Sequence, residues 1–171
     1  RFKEKLVDDN LKRIGKIEGY EFFPAIGMEE PFRYRNKAQY PVGTAKDGSI
    51  VMGFYAGRTH SIINIDSCDL GLKIDGRDVN KEVMDTVKAF MTKYRIAPYN
   101  EVTHKGLVRH VLIRIGAKTK QIMVCVIING KNLPNKEKLV EELCKLEGMY
   151  SISLNINTKK SNVILGDKVI N

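Results

Sequence analysis

The chain has 171 residues, 43% hydrophobic and 29% charged, which is enough to bury a core and is the balance of a soluble globular protein. Lys and Arg outnumber Asp and Glu by 29 to 20, a formal charge of +9 that favours polyanionic partners. No apolar run approaches the roughly 20 residues of a membrane span, the first residues lack the apolar stretch of a signal peptide, and three widely spaced cysteines argue against a disulfide framework and for a reducing cytoplasm.

Residues 2–14 carry Phe2, Leu6, Val7, Leu11 and Ile14 at helical spacing, with Gly15 as the stop. Residues 19–30 read as a connector with a short extended piece at 20–23. From Phe32 to Val42 the pattern alternates strictly. Phe32, Tyr34, Asn36, Ala38, Tyr40 and Val42 fall on one side of a strand; Arg33, Arg35, Lys37 and Gln39 fall on the other. Lys46-Asp47-Gly48 suits a hairpin turn, residues 49–56 a returning strand, and residues 58–65 a third extended run. Residues 78–95 form the clearest helix, capped by Asp78 and striped by Val79, Val83, Val87, Phe90, Met91 and Tyr94. Residues 107–115 and 122–128 are β-branched strands joined as a hairpin. Residues 135–146 read as a helix capped by Asn135, with Leu139, Val140, Leu143 and Cys144 inward. Residues 149–157 are a last strand, and the tail from 157 ends in the start of a further one. The expected class is α+β: an antiparallel sheet with both helices on one face, ferredoxin-like from about residue 62 and preceded by a basic hairpin.

The cationic side of the first strand spaces its charges by about 6.6 Å, near the phosphate spacing of an extended nucleic acid. The same pattern also suits the solvated side of an edge hairpin, where Lys and Arg deter sheet aggregation. The high share of Arg favours the first, because guanidinium pairs bidentately with phosphate and stacks on bases. Arg58-Thr59-His60-Ser61 follows the second strand and either extends that surface or forms an ordinary polar turn. Gly53 and Gly57 flank it and allow close backbone approach. A second cationic run, with Lys105, Arg109, Arg114, Lys118 and Lys120, spans residues 103–120 without one Asp or Glu.

Cys68 ends a strand in polar surroundings, where a metal or cluster ligand is reachable; a free thiol is the alternative, since one Cys cannot make a four-thiolate site. Cys125 and Cys144 read as small packed residues. No phosphate-cradling glycine loop, metal-spaced cluster or nucleophile elbow is present. His60 has no triad partner nearby, so no residue is assigned a catalytic role. The first residue is Arg rather than Met, from which a piece of a longer protein is expected.

The stretch from Phe32 to Val42, followed by Gly53-Phe54-Tyr55, Arg58, His60 and Ile65-Asp66-Ser67-Cys68, resembles the RNA uracil-5-methyltransferases, most of all their 23S ribosomal RNA branch. Lys3-Glu4-Lys5-Leu6-Val7 and Arg13-Ile14-Gly15 resemble the helix before that block. The resemblance implies a parent enzyme that methylates C5 of an extruded uracil with S-adenosylmethionine through a cysteine adduct. It implies that this chain is the central domain, between an RNA-binding β-barrel and a Rossmann-like methyltransferase domain. The divisions are then 1–60 (helix and basic hairpin), 61–157 (split βαβ) and 158–171 (linker toward the methyltransferase domain). Cys68 matches the last of four cysteines that hold a four-iron–four-sulfur cluster in that family; the other three would precede this chain. The catalytic Cys, base and cofactor loop would follow Asn171, so this stretch alone is expected to be inactive and to bind neither cofactor. Arg33, Arg35, Lys37, Gln39, Arg58 and His60 are then the expected RNA contacts. A transfer RNA substrate, a surface for a neighbouring domain, or a free-standing RNA-binding module are the alternatives.

Overall fold

A computed structural model describes residues 1–171 as two units, Arg1–Pro31 and Phe32–Asn171. In the first, helix α1 (Phe2–Asp9) continues as a wider turn over Asn10–Ile14 and stops at Gly15. Surface ion pairs one turn apart, Lys5–Asp9 and Lys12–Asp8, brace the exposed side of the helix weakly. Phe2, Leu6, Val7 and Ile14 are exposed, and no α1 residue is buried. The connector is held to the helix by polar bonds: Tyr20 Oη donates to the Asp8 carboxylate and the Ala25 N–H donates to Glu4. The short extended piece expected at 20–23 is irregular, because no neighbouring strand pairs with it.

The second unit is a seven-stranded sheet. Its strands are β1 (Lys37–Thr44), β2 (Ile50–Tyr55), β3 (Ile62–Asn64), β4 (Val108–Ile115), β5 (Ile122–Ile128), β6 (Met149–Ile156) and β7 (Lys168–Ile170), in the order β3-β2-β1-β4-β5-β6-β7. Helix α2 (Val79–Lys93) and helix α3 (Lys136–Leu143) lie on one face and touch each other. Beneath them Tyr40, Met52, Val111, Ile113 and Val124 meet Val83, Val87, Met91 and Leu143 in a continuous core. Each such fully buried aliphatic side chain contributes about 1.5–3 kcal/mol. The carboxylate of Asp78 caps α2 by accepting the Lys81 N–H, as expected, a contribution of about 1 kcal/mol.

The α+β class, the helices on one face and the leading hairpin are as expected. The order of the strands differs from the split βαβ unit. β3, only three residues long and largely exposed, pairs with β2 at the far edge, and β6 lies parallel to β5 after the α3 crossover. The centre goes to β1, β4 and β5 because they are the strands buried on both faces. Two details of α3 also depart from expectation. Asn135 stands in the left-handed region at φ 55° and its side chain makes no cap bond. Val140 and Cys144 are exposed, because a two-turn helix buries only the stripe of Leu139 and Leu143.

A β-bulge interrupts the β4–β5 ladder. Val108 pairs with Ile128 and His110 with Ile127, leaving Arg109 as the extra residue. Val108, Val111 and Ile113 face the helices, while Leu112 packs with Cys125 and Ile127 on the opposite face under Ile164 of the tail. Gly53 is required by close approach of β3: a Cβ there would sit 1.8 Å from the Ile63 carbonyl oxygen. Gly57 meets nothing within 4 Å, so the close approach expected at both glycines occurs at one. Gly53→Ala is expected to cost about 2–3 kcal/mol, read in a thermal melt as a fall of roughly 6–9 °C in Tm, with Gly57→Ala as the near-neutral control.

Candidate nucleic-acid interface

The alternation of the first strand holds from Lys37 onward. Ala38, Tyr40 and Val42 are buried under the helices, so Lys37 and Gln39 stand on the opposite face. Upstream it breaks. Arg33 has φ 57°, and its guanidinium donates to the Cys68 carbonyl at 2.7 Å and to Asp69 at 2.8 Å. Arg33 is therefore not on the Lys37 face, and its charge is already paired. Phe32 and Tyr34 are exposed rather than in the core. The chain at Arg35 instead bridges in parallel to Gly71, with the Arg35 N–H bonded to Leu70 and the Leu72 N–H to Arg35, and its side chain is exposed. The segment 69–72 thus takes the backbone bonds that a longer β1 would have used.

At the start of β1, Lys37 lies directly opposite Arg114 of β4. Both side chains are exposed, and the arginines of this unit that do pair with carboxylates are Arg33, Arg77 and Arg109. Beside them the loop at Gly116, Thr119 and Gln121 and the exposed ring of Tyr150 complete a shallow cleft of about 300 Å³. Lys120 of the same turn is engaged with Asp75.

At the other end of β1, Arg58 and His60 sit in the exposed turn after β2, Arg58 at φ 62°. The His60 ring meets Tyr55 edge-on at 5.8 Å, and Tyr55 meets His110 at 6.3 Å. Arg109 is 2% exposed. Its guanidinium lies 4.5 Å over the Tyr99 ring and donates to the carbonyls of Asn157, Lys159 and Ser161 and to Glu101. Two buried polar atoms keep no partner, Arg109 Nε and His110 Nδ1. Burial, reinforced by the neighbouring Arg109 charge, pushes the His110 imidazole down to about 4, so it is neutral near pH 7. Burial, with Glu101 nearby, pushes the Tyr55 phenol up to about 12. Tyr55, Tyr99, Glu101, His110 and Tyr150 were not among the expected site residues. Arg109 and His110 carried a signal, two polar residues inside an apolar β-branched strand; Glu101 and Tyr99 carried none.

The cysteines do not converge. Cys68 is half-buried beside Gly71, Cys125 is buried in the sheet with its thiol pushed up by burial, and Cys144 is exposed after α3. No three His, Cys, Asp or Glu side chains group to hold a metal ion. The donors in this stretch therefore do not fit a four-iron cluster by themselves. No helix is long and apolar enough to cross a membrane.

Comparison with known proteins adds the lineage. An uncharacterized RNA methyltransferase of Halalkalibacterium halodurans is 44% identical over 169 residues, 98% of this chain and 36% of that protein. Another, of Clostridium tetani, is 41% identical over 170 residues, 99% of this chain and 35% of that protein. Over nearly its whole length, the chain is related to RNA methyltransferases. It spans about a third of the length of the curated relatives it matches. No protein-family model matches it. Among solved structures, the Pyrococcus abyssi tRNA (uracil-54, C5)-methyltransferase in complex with S-adenosyl-L-homocysteine superposes with a TM-score of 0.71 at 23% identity. That match covers 99% of this chain and 37% of the other, and it establishes a shared fold.

The position of His110 has a consequence for pH. Its folded pKa lies below the unfolded value of 6.5, so between about pH 6.5 and 4 the unfolded chain binds a proton that the folded chain refuses. Stability is full above that window and falls on acidification through it. Urea unfolding of wild type should lose up to about 3 kcal/mol from this group between pH 7 and pH 4, a loss absent from the slope of His110→Gln.

Proposed function

We propose that this chain is the central, RNA-engaging part of an S-adenosylmethionine-dependent RNA uracil-C5 methyltransferase that acts on 23S ribosomal RNA. One observation carries the RNA contact. Lys37 and Arg114 are like charges directly opposite on paired strands, exposed and without a carboxylate, an arrangement that costs stability in the free protein. A phosphate between them turns that cost into attraction and releases counterions from the RNA. Gln39 continues the same face, and Arg35, Arg58 and His60 are exposed at its margins. Arg33, already paired, is proposed to order the 68–71 segment rather than to hold RNA.

The relatives named RNA methyltransferases support the parent activity, and the neighbour's complex with S-adenosyl-L-homocysteine supports the methyl donor. Because that neighbour is a transfer RNA enzyme, a transfer RNA substrate is the second reading. Methylation of transcribed 23S ribosomal RNA against transfer RNA by the full-length protein separates the two. The methyl-transfer groups are assigned to parts of the protein outside these residues, and this stretch alone is proposed to be inactive.

In the full-length protein, Lys37→Ala and Arg114→Ala should each lower the slope of log affinity against log salt by about one, with weaker binding to every RNA sequence. Unchanged slope and affinity, with altered stability or domain docking, would make the face an interdomain surface instead. Cys68 is proposed as one thiolate of an iron–sulfur cluster completed by cysteines outside these residues. Cys68→Ser in the full-length protein should then abolish iron content and the brown absorbance; a variant that keeps both removes Cys68 from the ligand set.

A further inference from the structure

The end of the sheet remote from Lys37 has a different chemistry. Two adjoining clefts, of about 660 and 310 Å³, share the walls Tyr55, His60, Glu101 and Arg109. Their size is that of small-ligand sites, which run from about 300 to 1,000 Å³. The walls are aromatic: the half-exposed Tyr55 ring packs nearly perpendicular to both His60 and His110. The Arg109 charge is spent, because its Nη atoms are committed to Glu101 and three carbonyls, and Lys46, an exposed cation, lines only the larger cleft. His110 is neutral near pH 7. The smaller cleft, walled by Tyr55, His60, Arg109 and His110, is therefore poorly made for phosphate.

Behind these walls two polar atoms lack a partner. Arg109 Nε is a buried donor without an acceptor, and His110 Nδ1 is unpartnered in a side chain 4% exposed. Such groups are expensive to leave unpaired and are seldom kept without a use. A planar heteroaromatic ring fits the set: it stacks on Tyr55 or His60 through its face and offers hydrogen bonds along its edge.

We propose that this cleft seats one unpaired base of the RNA, with Tyr55 and His60 as its stacking walls and His110 at its edge. The proposal rests on the RNA-engaging reading above. It adds a contact that reads the base, at the other end of the sheet face from the contact that holds phosphate. Lys37 and Pro41, the β1 residues opposite Arg114 and His110, are four residues apart, about 13 Å along the strand. A short extended stretch of single-stranded RNA covers that distance.

The test uses the full-length protein and short single-stranded RNAs carrying 4-thiouridine or, at the same position, an abasic site. Irradiation of the thiouridine complex should place cross-links on peptides containing Tyr55 or His60. Tyr55→Ala and the exposed His60→Ala should each weaken binding about tenfold. Their salt slope should stay at the wild-type value, unlike that of Lys37→Ala. The penalty should vanish with the abasic RNA. Thermal melts identify any Tyr55→Ala loss that comes from unfolding, and His60→Ala and the cross-links stand independently of it. Cross-links confined to other peptides, with full affinity in both variants while Lys37→Ala still binds more weakly, would overturn the base site and leave the phosphate contact intact. RNA binding that none of these substitutions changes would overturn both, and binding of a protein segment in the cleft would appear as retained RNA affinity with lost domain association.

Discussion

The sheet face that carries the candidate contacts depends on a single buried guanidinium. Burying an unpaired cation costs several kcal/mol, so Arg109 must be surrounded by negative and dipolar partners or the strand cannot hold it. The fold supplies Glu101, three main-chain carbonyls from the segment after β6, and the face of Tyr99. The bulge is what makes this geometry available: as the extra residue of β4, Arg109 is freed from the ladder and reaches into two loops at once. The loop that carries Glu101 and the segment after β6 are thereby both held to one point of the sheet. The walls around Tyr55 and His110 follow from where those loops are fixed.

The two faces of the sheet have divided their labour. Under α2 and α3 the side chains are apolar and tightly buried, which is where the unit gains its stability. On the other face the apolar patch is small, Leu112, Cys125 and Ile127 beneath Ile164, and much of the remaining surface is polar. There the tail is held by side-chain amides rather than by a second hydrophobic layer. Asn157 Nδ2 donates to the carbonyls of Val163 and Ile164, and Asn155 exchanges bonds with Gly166. A face closed by hydrogen bonds leaves cations and aromatic rings reachable at its two ends, which a second helical layer would have covered.

Most of the secondary structure was legible because its causes are local. The stripe and Asp78 cap of α2, the turn at Gly48 and the β-branched runs of β4 and β5 each sit in a short window of sequence. The strand order was not legible, since choosing between a split βαβ unit and a β5–α3–β6 crossover depends on which strands can be buried on both faces. The site was half legible. Lys37 and Gln39 obey the two-residue period, but Arg33 obeys it on paper only. Its neighbours give their backbone bonds to 69–72, and an Asp thirty-six positions away takes its charge. The partner that makes Lys37 notable, Arg114, is found only once β1 is laid against β4.

That pairing joins positions some seventy-seven residues apart, whereas β4 and β5 are joined by a short turn. Closing the longer loop costs entropy before any contact repays it, so strands of this kind assemble slowly. The β4–β5 hairpin can form early from its own neighbours, while β1 must wait to find its place along β4. Until it does, the outer edge of β4 presents unpaired backbone groups beside the apolar residues Val111 and Ile113, a template for pairing with another chain. The cationic strand is thus also the piece that closes this edge.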